Sequence, residues 1–235
     1  MDMLDNLKKD LKKNSSKSKA KALQRFFKTG KGEYGEGDVF LGITVPQQRK
    51  IAEKYLALDI STLQSLLDSK VHEERLIALL ILTDNFKSSN EERRYQILDF
   101  YLRNTKNINN WDLVDLSAHH ILGNYLLNKP KDILFTLAKS QSLWEKRISI
   151  ISTFAFIKDN QFDTSLEIAK ILLNDSHDLI HKAVGWMLRE IGKKDIKIEE
   201  TFLKMHYKEM PRTMLRYSIE KFPEAKRKAY LNSKI

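Results

Sequence analysis

Glu73-Glu74-Arg75-Leu76-Ile77-Ala78-Leu79-Leu80-Ile81-Leu82, EERLIALLIL, has a counterpart 72 residues later in EKRISIISTF, residues 145–154. Arg75 aligns with Arg147, and in both segments apolar residues recur at three- and four-residue steps rather than in the alternation of a strand. The offset of 72 is twice 36. Trp111, which opens WDLVDLSAHHILGNYLL (111–127), lies 36 residues before Arg147, and Lys182, within HKAVGWMLREIGKK (181–194), lies 35 after it. Helical units that recur every 30–50 residues or so bury their apolar faces by stacking on the next unit, the arrangement of an α-solenoid of the HEAT or armadillo kind. The expected fold is therefore all-α, a solenoid of HEAT-like repeats curved around a concave basic groove. An irregular helical bundle is the alternative that periodicity leaves open.

The rest of the chain agrees with helices. Its 235 residues contain four prolines and eight glycines, and five of the glycines (Gly30, Gly32, Gly35, Gly37, Gly42) crowd into one loop. Val45-Pro46, Lys129-Pro130, Met210-Pro211 and Phe222-Pro223 read as helix starts, because proline is tolerated where the first-turn N–H has no partner. A single domain is expected over 1–235: N-terminal helices in 1–28, a glycine-rich loop in 29–45, repeats in 46–233. The loop contains the letters G-x-G-x-x-G, yet it follows LQRFFK, a helical run. A dinucleotide-binding turn follows a β-strand and opens a helix. The glycines are expected to end a helix and supply a turn, with Lys31 open to a phosphate contact.

Composition narrows the chemistry. There is no cysteine, which excludes disulfides, thiolate metal sites and cysteine nucleophiles. The charge of +10 favours a polyanionic partner. The N-terminus has no apolar signal core and no window reaches the length of a membrane span, so the expectation is a soluble, cytoplasmic protein with no membrane partner. His119 and His120 are adjacent and point roughly 100° apart on a helix, which does not suit one metal. Neither a metal nor a nucleotide cofactor is expected.

The repeat register places residues in rows. Trp111, Arg147 and Lys182 share one position; Asp115, Ile151 and Trp186 lie four residues on, on the same helix face. If that face lines the inner curve, Trp111, Asp115, Arg147, Lys182 and Trp186 converge on one groove. Lys and Arg suit phosphates, and indole faces suit sugars or bases. Asp115 is the odd member, since a carboxylate repels phosphate. From periodicity alone, repeat-core packing also accounts for the tryptophans, and a surface ion pair for the aspartate.

The runs FLGITVP (40–46) with Arg49, NNWDLVD (109–115), LWEKR (143–147), KAVGWMLRE (182–190) and MPRTMLRYSIEKFP (210–223) together resemble the AlkD-type DNA alkylation repair glycosylases. The resemblance extends from about residue 20 to the C-terminus and rests on the order and spacing of the runs. It implies hydrolysis of the glycosidic bond of N3- or N7-alkylated purines in double-stranded DNA, without extrusion of the base into a pocket. It assigns Asp115 as the catalytic carboxylate and Trp111, Trp186 and Arg147 as substrate contacts. Arg49 and Arg189 fall at cationic positions near the DNA backbone, and Lys182, with Arg147, is expected to hold phosphates flanking the lesion. Phe26 stands where some members carry a tyrosine, so that phenol's hydrogen bond is absent, and the glycine-rich loop is longer than in some members. An uninterrupted groove implies a monomer. The competing class is a catalytically silent solenoid that binds nucleic acid or protein through the same face.

Overall fold

The run 76–82 is apolar at every position, and a helix of that kind has to be enclosed. In the computed structural model, which describes residues 3–235, every residue from His72 to Thr83 is buried. Among the described residues there is no β-strand, only an isolated bridge between Val39 and Val71. No helix among them is long and apolar enough to cross a membrane. The chain divides into two compact units, Met1–Ser117 and Ala118–Ile235.

The first unit holds α1 (Met3–Lys13), α2 (Lys17–Phe26), α3 (Val45–Ala52), α4 (Ile60–Leu67), α5 (His72–Ser88), α6 (Glu91–Arg103) and α7 (Trp111–Asp115). Helix α5 is its centre, packed by α3, α4, α6 and α7. Pro46 occupies the first turn of α3, and Thr44 with Gln47 forms a capping box there, so the proline start expected at Val45-Pro46 has its full hydrogen-bond support. Asp59 and Asn90 cap α4 and α6, each accepting the backbone N–H of the third residue of its helix.

The second unit holds α8 (Asn124–Leu126), α9 (Asp132–Ala138), α10 (Leu143–Ser152), α11 (Phe154–Lys158), α12 (Asp163–Ile171), α13 (Asp178–Lys194), α14 (Ile196–His206), α15 (Arg212–Ser218) and α16 (Glu224–Leu231). Helices α9 and α10, α12 and α13, and α14 and α13 pack as sequence neighbours, while α10 packs on α13 and α13 on α15. That pattern is what a helical repeat stack requires: each helix meets the partner in its own pair and the equivalent helix of the next. Gly185 permits the close approach of α15 to α13, since a Cβ there would lie 2.5 Å from the Met214 carbonyl. Pro211 and Pro223 immediately precede α15 and α16, as their sequence context predicts, whereas Pro130 lies two residues ahead of α9.

Two of the three residues expected to share a repeat position have the same place in their helices. Arg147 and Lys182 are each the fifth residue of their helices, but Trp111 is the first residue of α7. Beyond α7 the backbone passes through a π-helical turn, His119–Gly123. Such turns insert a residue into the helical ladder, which sequence periodicity does not reveal. Gly123 ends it where a Cβ would meet the Ser152 carbonyl at 2.3 Å, so α10 lies directly against that backbone.

The glycine-rich loop follows α2, not a strand. Its backbone N–H groups at Gly30 and Gly32 donate to the loop's own Glu33 and Glu36 carboxylates, each at 2.8 Å, so these two donors are already taken by anions. Lys31 is exposed. Gly42 is required where it stands: φ is +84°, and a Cβ would lie 2.2 Å from the Ser16 carbonyl at the head of α2.

Candidate active site

Four rings pack in one cluster within the first unit, with Phe27 and His72 also in tilted contact at 5.1 Å. Trp111 lies on Phe27 at 5.1 Å and 15°, Phe27 on Phe40 at 5.0 Å and 19°, and Phe40 on His72 at 4.4 Å and 22°. Phe26 adds an edge contact to Trp111 at 5.9 Å. The end of α2 meets the indole directly, and through Phe27 it ties in the FLGITVP run and the start of α5. Phe26 itself is 62% exposed, so the position at which the resemblance implies a missing phenol presents a bare ring to solvent. A cavity of about 350 Å³ with a predominantly apolar lining opens beside Phe26, Phe27, Phe40 and Trp111.

Around the His72 ring sits a buried charge network. His72 Nδ1 is 3.1 Å from Asp38 and its Nε2 is 2.8 Å from Asp112. Arg75 donates to the other oxygen of Asp38 at 2.7 Å and to the Ser69 carbonyl at 2.8 Å. Burial works against a charge on His72, but the attraction and hydrogen bond of Asp112, with the further bond to Asp38, outweigh burial and the opposing Arg75 and lift its pKa to about 9. Burial likewise pushes Asp38 up, and its bonds to His72 and Arg75 overcome that and hold it below the usual carboxylate range. The two anions and two cations balance, which is how four ionisable groups are held in a protein core. Glu73, fully buried, accepts the N–H groups of Leu41, Gly42 and Ile43 at 2.8–3.2 Å and thereby fixes the FLGITVP run on α5.

The two carboxylates of α7 thus differ in kind. Asp112 is 6% exposed and bound to His72; Asp115, one turn on from Trp111, is partly exposed. Its charge reaches Tyr101, whose hydroxyl is fully buried against Ser117 at 3.0 Å; burial is the main cause that raises the phenol's pKa, and Asp115 adds to it. Asn110 caps α7 by accepting the Trp111 N–H.

In the second unit α13 carries Lys182, Trp186 and Arg189. Trp186 is half-buried, tilted against Phe154 at 5.7 Å, and donates its indole N–H to Glu190 at 3.0 Å. Lys182 pairs with Asp178 one turn earlier at 2.7 Å. Arg189 is held by Glu220. Arg147 is only 5% exposed, and its guanidinium donates to the Leu179 carbonyl at 2.5 Å, linking α10 to the first turn of α13. In the first unit Arg49 is part-exposed on α3, and among the described residues its side chain has no ion-pair partner. Spacing along the chain does not single out Phe27, Phe40, His72, Asp38 or Asp112. The one local signal for Asp112 is its place between Trp111 and Asp115 in WDLVD, where helical geometry turns it to another face.

The family model for the DNA alkylation repair enzyme matches residues 7–222. A solved structure described as a predicted DNA alkylation repair enzyme from Enterococcus faecalis shares the fold, with a TM-score of 0.68 at 16% identity over 90% of this chain and 98% of that one. No curated protein sequence matches the chain. A family match across nearly all of an all-helical repeat fold gives the conclusion that this chain belongs to the DNA alkylation repair enzyme family, with a role in DNA repair.

Proposed function

We propose that the protein is a DNA glycosylase that hydrolyses the N-glycosidic bond of cationic N3- and N7-alkylated purines in duplex DNA, acting as a monomer and without extruding the base. The observation that carries this reading is the contrast within α7: Asp112 is committed to His72 in the core, while Asp115 is partly exposed one turn from a half-buried tryptophan.

The chemistry asks for little more. An alkylated N3 or N7 purine already bears positive charge, so its departure needs no general acid. What remains is to stabilise an oxocarbenium-like deoxyribose and to place a water, and one carboxylate does both. Asp115 is the proposed carboxylate. The indole face of Trp111 would meet the electron-poor sugar, and Trp186 is proposed as a further substrate contact, each contributing about 0.5–2 kcal/mol. Arg49 and Lys182 would take phosphates. The roles of Arg147 and Arg189 are different in kind: with Arg147 buried on Leu179 and Arg189 paired with Glu220, they would act first by holding α13 and its tryptophan in place.

Methylated duplex DNA incubated with the protein, with chromatography of the freed bases, tests the reading. Wild type should release 7-methylguanine; Asp115→Asn should release none while still binding duplex. Unchanged excision by Asp115→Asn overturns the assignment, and a wild type that binds DNA but releases no base makes the protein a binding module.

A further inference from the structure

Helix α2 buries none of its residues, unlike the helices around it. It is held from its ends: the Ser16 N–H donates to the Leu41 carbonyl at 2.8 Å, Gly42 lies against its first turn, and Phe27 follows it into the ring cluster. Its exposed side chains include Lys17, Lys21 and Arg25, at four-residue steps along one face and so spaced by roughly 6 Å.

Charge along the chain is lopsided in the same place. Residues 3–31 hold ten Lys and Arg against Asp5 and Asp10, a net of +8 out of the chain's +10. On several other helices exposed cations sit one turn from a carboxylate, as with Arg103 and Asp99, Lys182 and Asp178, or Lys228 and Glu224. Helix α2 contains no acidic residue, and among the described residues none of Lys17, Lys21 and Arg25 has an ion-pair or hydrogen-bond partner for its side chain. Like charges one turn apart repel, so this face is at its most favourable when a polyanion lies along it.

We infer that the Lys17–Lys21–Arg25 face of α2 is a phosphate-binding surface for duplex DNA, separate from the cations of α3 and α13. A ladder of cations roughly 6 Å apart matches a backbone that carries a negative charge every few ångströms. Phe26, at the end of the same helix, touches Trp111, so a duplex seated on α2 is mechanically joined to the α7 indole. The inference rests on the reading of the chain as a DNA-binding protein, not on Asp115 being catalytic.

The test is the salt dependence of binding to an undamaged duplex oligonucleotide, followed by fluorescence anisotropy. Replacing Lys17, Lys21 and Arg25 together by Gln should make the log–log slope shallower by about 2–3, near 0.9 for each phosphate no longer neutralised. The double variant Lys17→Arg with Lys21→Arg, keeping Arg25, should retain the wild-type slope, as should the triple Gln variant at Lys197, Lys204 and Lys208, which removes equal charge from the α14 region. An unchanged slope in the α2 variant, or an equal change in the α14 variant, overturns the inference. Circular dichroism confirms that α2 is still folded; if the triple variant loses helix, Lys21→Gln alone is read for a shift of about 1, and no shift in it overturns the inference equally. A wild type that releases no base, with the α2 variant's slope shallower as expected, would fault the glycosylase reading alone.

Discussion

His72 Nε2 lies 2.8 Å from Asp112 Oδ2, joining the first residue of α5 to the second of α7. Because α7 is only five residues long, this bond between buried groups sets the position of Trp111 and Asp115, which the short helix has little intrinsic stability to hold. Asp112→Ala removes one partner and leaves a buried charge behind, a loss of about 3–5 kcal/mol. Urea denaturation should show it as a lower midpoint, whereas Asp115→Asn, at a partly exposed position, should shift stability by no more than about 0.5 kcal/mol. Equal losses in the two variants would mean that the carboxylates are not distinct.

The same network sets a pH dependence. His72 has a pKa raised from 6.5 to about 9 in the folded chain, so its ion pairs contribute fully below pH 6.5 and their contribution fades as pH rises through about 9. Thermal melts between pH 6 and 10 should fall over that window. His72→Gln should be less stable at pH 6 and should flatten the decline; a decline of the same size in that variant would place its origin elsewhere.

Glu199 supplies a second, separable contribution. It is buried beside Gly192, and burial, reinforced by the neighbouring Glu200, raises its pKa to about 8 from an ordinary 4.5. A raised pKa favours the folded state at low pH and loses that advantage as pH climbs from 4.5 to 8. Glu199→Gln should therefore gain stability over wild type at pH 8.5 and gain little at pH 5, a difference that calorimetry at the two pH values resolves.

Replacing either indole should slow base release with little effect on duplex binding. For Trp111→Ala and Trp186→Ala the expected loss in single-turnover rate is about 2–30-fold each, the kinetic equivalent of 0.5–2 kcal/mol. Full activity in both would return the tryptophans to a purely packing role. Trp111→Phe, which keeps a ring on Phe27, should recover part of the rate.

Backbone approach makes the last prediction. Gly185→Ala puts a methyl 2.5 Å from the Met214 carbonyl and 2.6 Å from the Tyr217 Cβ, so α13 and α15 have to move apart at a cost of about 1–3 kcal/mol. Gly32→Ala meets nothing within 4 Å and has only its φ of +78° to pay for. Denaturation midpoints should rank Gly185→Ala below Gly32→Ala.

Local rules were enough for much of this molecule. Apolar spacing in EERLIALLIL and its counterpart at 145–154 determined helices that stack, because an apolar helix face has to be covered by others. Proline placed the starts of α3, α15 and α16 because it tolerates a first-turn position without an N–H. The glycine-rich loop was legible as a turn, since no strand precedes it. Only the tertiary structure separated residues that sequence treats alike. Asp112 and Asp115 have the same chemistry three positions apart, and His72, 40 residues from Asp112, binds that one alone of the two. Arg147 and Lys182 share a repeat position, yet Arg147 is buried on a carbonyl 32 residues away while Lys182 pairs with Asp178 on its own helix. Periodicity fixes which face of a helix a side chain occupies; burial and pairing depend on what distant segment comes to lie against that face.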